Sequence, residues 1–379
     1  MKRFILLLLP LILMSGIALA SPYRISLLTC GPGDELYSTF GHTALRVENV
    51  ETGSDVVYNF GMFNFSDPNF YMKFIKGDLD YYLGVQQFDR FVWEYTAENR
   101  YVYEQVLGLT DIQTERILAE LDYRYLPENR AYKYKFIQRN CTTELRDIIA
   151  EAVEENSDFL YAEAEGTWRR YLNACLTDKT WAKIGINIIM GSRADVRINN
   201  FQKMCLPGLL YDGLPEIAAG GDLVKEDIVL NPDTRAETHK NFMGRNYPYI
   251  LLILISLGII LANSRVADSI YCFVLGALGL LIVFLMFYGT HMEFKVNFNL
   301  LLYNPLLIWL GIAILRGRRG RLPAVIAGVM LACLFVIWIA GIQGAEAGLV
   351  IMSVPLLWIV VKYLFLDRNF FAKKRIGPA

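Results

Sequence analysis

The chain has 379 residues, with 37 Lys and Arg against 38 Asp and Glu, and 54% of its residues are apolar. So even a charge balance gives no electrostatic footing for nucleic acid, which is gripped by basic surfaces. The apolar excess is concentrated after about residue 247, which divides the chain into a mixed, globular half and a membrane-like half.

Lys2 and Arg3, the apolar run from Phe4 to Leu13 and the pattern Ala18-Leu19-Ala20 predict a signal peptide over residues 1–20, cut before Ser21. No cysteine follows the cut, so no lipid anchor is expected there, and the mature chain is placed outside the cytoplasm. Residues 23–29 predict a strand that Cys30-Gly31-Pro32-Gly33 breaks. Thr43 to Val50 and Asp55 to Phe60 predict a hairpin around residues 51–54. Thr110-Asp111 opens a helix with Ile117, Leu118 and Leu121 on one face. Tyr132, Tyr134 and Phe136 alternate with Lys133 and Lys135, the pattern of a half-buried strand that then feeds Cys141. Beyond it, Leu145, Ile148, Ile149 and Val153 recur at helical spacing, and Glu144 stands where a capping-box acid belongs.

Five apolar stretches follow, at roughly 247–263, 270–288, 299–315, 323–342 and 347–366. Each approaches the ~20 residues that cross a ~30 Å hydrocarbon core. With the first half exported, the inner loops carry Arg265, then Arg316, Arg318, Arg319 and Arg321, then Arg368, Lys373, Lys374 and Arg375. The outer loops carry only Lys295, a positive-inside bias that puts the C-terminus in the cytoplasm. The outer loop Gly289-Thr290-His291-Met292-Glu293, with Asn297, Asn299 and Asn304-Pro305 after it, is unusually polar for a join between spans. It reads either as a capped turn or as a lip in which His291, Asn297 and Asn299 meet a lipid headgroup or a peptide terminus.

Cys141 at a helix start lies where the helix dipole and free N–H groups favour a thiolate. His42, after Gly41 at the head of a strand, is the only histidine of the folded half before the linker that holds His239. A histidine facing such a thiol makes a working acyl-transfer pair. Each alone also fits a buried structural residue. With three histidines and no C-x-x-C or H-E-x-x-H motif, neither a metal site nor any other cofactor is expected. Cys175 and Cys205 are disulfide candidates in an oxidising compartment, and Cys272 and Cys333 read as small packing residues in apolar runs.

Gly-His on an early strand followed by Asn-Cys opening a helix resembles the circularly permuted NlpC/P60 thiol enzymes, which include the lecithin:retinol acyltransferase-like group. Residues 36–46, Tyr58-Asn59-Phe60-Gly61, Tyr134 to Thr143, the 192–195 and Leu206-Pro207 stretches and the multi-span tail more closely resemble the Bacteroides-type lipoprotein N-acyltransferase family, Lnb. The resemblance implies an α+β permuted papain-like domain followed by an all-α domain of about five membrane helices. Its expected parts are a thiol catalytic domain at 21–160, an appended subdomain and linker at 161–246, five spans at 247–366 and a basic cytoplasmic tail at 367–379. It implies transfer of an acyl chain from a phospholipid, through a Cys141 thioester, to the N-terminal amine of a lipoprotein at the inner membrane. His42 would carry the proton, and backbone N–H groups at the helix start would hold the oxyanion. Asn59 is the expected orienter of His42, with Tyr58 and Ser38 as alternatives, and Tyr58 and Asn140 are further substrate contacts. Phospholipase activity, cell-wall thiol peptidase activity and a non-catalytic binding module are the competing expectations.

Overall fold

A computed structural model describes residues 21–366 apart from 65, 67, 235–241 and 318–319. The expected signal peptide, His239, Arg318, Arg319 and the basic tail lie outside the described residues.

The first half is an α+β domain on one antiparallel sheet, ordered β6-β4-β3-β2-β1-β5-β7. Its strands are β1 (Tyr23–Cys30), β2 (His42–Asn49), β3 (Ser54–Met62), β4 (Asp80–Gln87), β5 (Val102–Leu107), β6 (Ala131–Lys133) and β7 (Val224–Asn231). The turn between β2 and β3 is made by Asn49, whose Oδ1 accepts the Glu51 and Thr52 N–H groups at 3.1 and 3.0 Å. Four helices flank the sheet: α1 (Phe70–Lys76), α2 (Phe88–Ala97), α3 (Asp111–Tyr125) and α4 (Cys141–Ala152).

The β1 sequence from Ile25 to Cys30 is buried without interruption because helices cover both its faces. On one face Leu27, Leu45 and Val47 pack with Leu121 of α3 and Leu145 and Ile149 of α4. On the other, Leu28, Cys30, Ala44 and Val57 surround Phe91 of α2. Burying each such leucine is worth about 1.5–3 kcal/mol, which fixes the register that aligns Cys30 with His42 and Thr29 with Thr43. The outer strands are blunt: β6 has three residues and ends at Lys133, and β7 carries Lys225, Glu226 and Asp227.

Two local expectations change. The strand expected through Phe136 stops at Lys133, and residues 135 and 139 bond each other's main chain at 2.9 Å. That turn redirects the chain into α4. The stretch expected as an appended subdomain supplies β7, which pairs along β5 from Val102 to Leu107 and satisfies that strand's open edge. Between them α5 (Trp168–Cys175), α6 (Thr180–Ile189) and α7 (Pro207–Gly213) gather around a smaller core that includes Trp168, Leu172, Ile198 and Leu206. Cys175 is exposed and Cys205 is buried in that core, and both are free thiols, so the candidate disulfide is not formed.

The second half comprises α8 (Phe242–Ala262), α9 (Arg265–Tyr288), α10 (Leu307–Leu315), α11 (Arg321–Ile339) and α12 (Ala347–Val361), the last extended by a π turn over Lys362–Leu366. Among the described residues four helices are long and apolar enough to cross a membrane. The third of the five expected spans is the exception. Pro305 interrupts it, leaving a 3-10 turn at Phe298–Leu301 and a nine-residue α10, roughly 14 Å long at 1.5 Å per residue. Helices α9 and α10 approach closely because Gly276 has no side chain: a Cβ there would lie 2.6 Å from Ile308 Cγ1 and 3.2 Å from Ile308 N. Cys272 is buried among these helices, whereas Cys333 is exposed on α11.

Candidate functional site

The site forms where the start of β2, the end of β3 and the start of α4 converge. Gly41 turns the chain into β2 at φ +83°, with its Cα so close to Cys30 O that a Cβ would lie 2.6 Å from that oxygen. Only glycine meets both conditions, which explains the Gly-His pair. His42 and Asn59 project from the α2 side of neighbouring strands, and His42 Nε2 lies 3.2 Å from Asn59 Oδ1. The imidazole lies parallel to the Tyr95 ring, 6.4 Å between centroids and 5° between planes. Arg100 lies over the Tyr95 ring at 4.4 Å and donates to Gly31 O at 2.8 Å.

Asn140 builds the other wall. Its Oδ1 accepts the N–H groups of Thr142 and Thr143, both at 2.9 Å. Its Nδ2 donates to Phe136 O at 2.8 Å and to Cys205 O at 3.0 Å. An asparagine amide has two acceptor lone pairs and two donor hydrogens, and all four are used. Asn140 therefore has nothing left for a substrate; it is the N-cap that sets the Cys141 position. The Thr143 hydroxyl accepts the Asn140 N–H at 2.8 Å, which completes the capping box. Glu144 is not part of that box: it is buried and paired with Arg124 and with Arg139 at 2.7 Å.

Cys141 reaches across to β2. Its sulfur lies 3.9 Å from the Thr142 hydroxyl, and His42 and the Thr43 main chain are the neighbours that act on its charge. The Thr43 and Thr142 hydroxyls, 3.0 Å apart, tie the two elements together beneath it. Burial raises a thiol pKa, but here His42 and the Thr43 main chain outweigh it, and Cys141 is held below the ordinary thiol value. For His42 burial works downward, yet Cys141 and then Asn59 leave it above its ordinary value. The two shifts run in the directions that favour passage of the thiol proton to the imidazole. Burial drives Cys30, Cys175 and Cys205 upward, the last to about 12, so Cys141 is distinguished from the other thiols of this half.

Above the thiol lies an unexpected aromatic floor. At Gly61, with φ +91°, a Cβ would stand 3.5 Å from Cys141 Cβ and 3.9 Å from the Tyr132 hydroxyl. The absent side chain leaves a gap bounded by thiol and phenol. Tyr132 is 5% exposed, and its hydroxyl is buried without a hydrogen-bond partner. Tyr81 and Tyr134, stacked at 4.3 Å, complete this floor. The alternation of tyrosines at 132 and 134 was visible in the sequence as a buried face, but its proximity to the thiol was not.

The remaining expected residues lie elsewhere. Tyr58 points to the opposite sheet face, against Tyr125 at 6.5 Å, as its place next to Asn59 in the strand requires. The Ser38 hydroxyl donates to Glu35 O at 3.0 Å within its own turn. His291, Asn297 and Asn299 are 3%, 3% and 0% exposed, so they form no lip. His291 contacts Phe74 O at 3.1 Å and Glu293 at 3.4 Å. Asn297 Nδ2 donates to Ile188 O at 2.9 Å, and Asn299 Nδ2 donates to Asn187 O at 2.8 Å. Their polarity serves the joint between the two halves, where Ile184 and Ile188 of α6 enter the core of the membrane half. Among the described residues no group of three or more His, Cys, Asp or Glu is placed to hold a metal ion.

Two family models match the chain. One describes the Lnb N-terminal periplasmic domain and covers residues 18–174. The other describes the Lnb transmembrane domain and covers residues 245–369. No curated protein and no solved structure matches.

Proposed function

We propose, from the premise that this chain belongs to the Lnb family, that it moves an acyl chain from a phospholipid to the N-terminal amine of a lipoprotein through a thioester on Cys141. The observation that carries this reading is the Cys141–His42–Asn59 arrangement, with its lowered thiol and raised imidazole, on a chain that continues into apolar helices. The order of histidine strand before cysteine helix supports the permuted NlpC/P60 kinship. The arginines of the inner loops support a catalytic domain on the periplasmic side of the inner membrane and a cytoplasmic C-terminus.

The Asn59 oxygen only accepts, so it keeps the proton on His42 Nε2 and leaves Nδ1 to exchange a proton with the thiol. The Cys141 thiolate attacks the ester carbonyl of the phospholipid, forming the S–C bond and an oxyanion. The Cys141 N–H, first in its helix and without an intrahelical acceptor, points at that oxyanion. The unpaired Tyr132 hydroxyl is the second donor. Collapse breaks the C–O bond; His42 gives its proton to the departing lysophospholipid oxygen. Neutral His42 then takes a proton from the incoming amine as it attacks the thioester. The C–N bond forms, the C–S bond breaks, and the thiolate–imidazolium pair returns.

The test uses the full chain in phospholipid vesicles. Without acceptor, Cys141 gains one acyl mass that neutral hydroxylamine removes; a diacylated lipopeptide then takes that acyl group as an amide. Cys141→Ala gives neither. Release of free fatty acid with no amide product overturns the transfer reading and leaves a phospholipase.

A further inference from the structure

Helix α1 lies between the thiol and the membrane half. The Thr290 N–H and hydroxyl, just past α9, each donate to Lys76 O at 2.8 Å. The His291 ring lies 3.1 Å from Phe74 O. The Lys76 ammonium stands 5.2 Å from the centre of the Tyr288 ring, the last residue of α9. A seven-residue helix is thereby fixed against the end of a candidate span. In that position Met72 is 51% exposed and Phe74 39%. Large apolar side chains beside a span end belong at the headgroup–acyl boundary, and Lys73 and Lys76 in the last turn suit the phosphates there.

From Phe74 a file of rings leads inward. Phe74 stacks on Phe70 at 6.4 Å, Phe70 meets Phe63 at 5.6 Å, Phe63 meets Tyr81 at 5.2 Å, and Tyr81 meets Tyr132 at 6.4 Å. Each step is a direct ring contact. The file ends beside the thiol, where the space at Gly61 is bounded by Cys141 Cβ and the Tyr132 hydroxyl.

We propose that α1 and this aromatic file form the track along which one acyl chain of a membrane phospholipid lies, its tail toward the bilayer and its carbonyl at Cys141. The assignment rests on Cys141 being the acyl-accepting thiol. A hydrocarbon chain suits ring faces because it brings no polar group to desolvate; a peptide laid there would leave its backbone N–H groups without acceptors. The track is continuous with the membrane end of α9, so the donor need not leave the leaflet.

The experiment reconstitutes full-length Cys141→Ser protein in vesicles containing a phospholipid with a diazirine in one acyl chain. After irradiation, peptide mapping should find label on Phe63, Phe70, Met72 or Phe74 as well as on α8–α12. Label confined to α8–α12 overturns the track. With otherwise wild-type protein, Met72→Asp should raise the phospholipid surface concentration for half-maximal acylation roughly tenfold, the scale of one buried apolar side chain. The saturating rate should hold, and Met72→Leu should behave as wild type. An unchanged half-maximal concentration in Met72→Asp also overturns the track. A thioester on Cys141 without label on α1 rejects the track and keeps the function. Label on α1 without a thioester keeps the track as a lipid-binding surface and rejects the function.

Discussion

Tyr132→Phe removes one oxygen from the floor of the site. The hydroxyl is buried and has no partner in the free protein. A buried, unpaired polar group costs about 1–3 kcal/mol, so its removal should leave the protein as stable as before or raise stability by about 1 kcal/mol. The reaction should respond in the opposite direction. Loss of one donor to an oxyanion costs about 2.7–4 kcal/mol of barrier, or roughly 10²–10³ in rate. The two readouts are the melting temperature of the full chain and the single-turnover rate at which Cys141 gains its hydroxylamine-labile acyl mass. A variant that is slower and no less stable fits a hydroxyl held unpaired for the oxyanion. An unchanged acylation rate refutes the donor role. A clearly lower melting temperature refutes the claim that the hydroxyl lacks a partner.

His42→Ala should lower the acylation rate by roughly 10²–10⁴, measured by the same adduct, while the protein still binds vesicles. Asn59→Ala should reduce kcat without changing the lipid requirement, because Asn59 holds His42 and touches no lipid; a changed KM with unchanged kcat would reject the positioning role. The pH profile of acylation should be bell-shaped. The rate rises as Cys141 deprotonates, below the ordinary thiol range because that group is lowered, and falls as His42 loses its proton, above its ordinary value because that group is raised. His42→Ala should move the rising limb to higher pH, and a limb that stays in place would detach the thiol shift from His42. Asn140→Ala should lower stability by about 0.5–2 kcal/mol by uncapping α4, read from thermal melting.

The site was legible to different depths at different residues. Gly41-His42 and Asn140-Cys141 could be read because each is a local device, a glycine turn and a helix N-cap, written in adjacent residues. Asn59 needed the register of β2 on β3, which local sequence leaves open; the structure pairs Leu45 with Tyr58, putting Asn59 on the His42 face. Glu144 falls one position past the box, because with the cap at Asn140 rather than Cys141 the third helical residue is Thr143. Tyr95 and Tyr132 approach the site from separate stretches of chain, and no pattern of spacing encodes that. The broken third span shows the limit of hydropathy, which averages over Asn304-Pro305 while the backbone cannot. The strand β7 is not legible locally because an edge strand protected by charges looks like a linker.

The joint at α6 bears on how this protein can be taken apart. Ile184 and Ile188 belong to the core of the membrane half, and the main-chain oxygens of Asn187 and Ile188 are bonded by Asn297 and Asn299. Truncation before α8 would strip those carbonyls of their donors and open an oily scar on the severed domain. The halves are therefore not modules that trade freely between proteins. Because these bonds go to main-chain oxygens, the joint is set by Asn297 and Asn299 of a loop more than a hundred positions later rather than by which side chains α6 carries at 187 and 188.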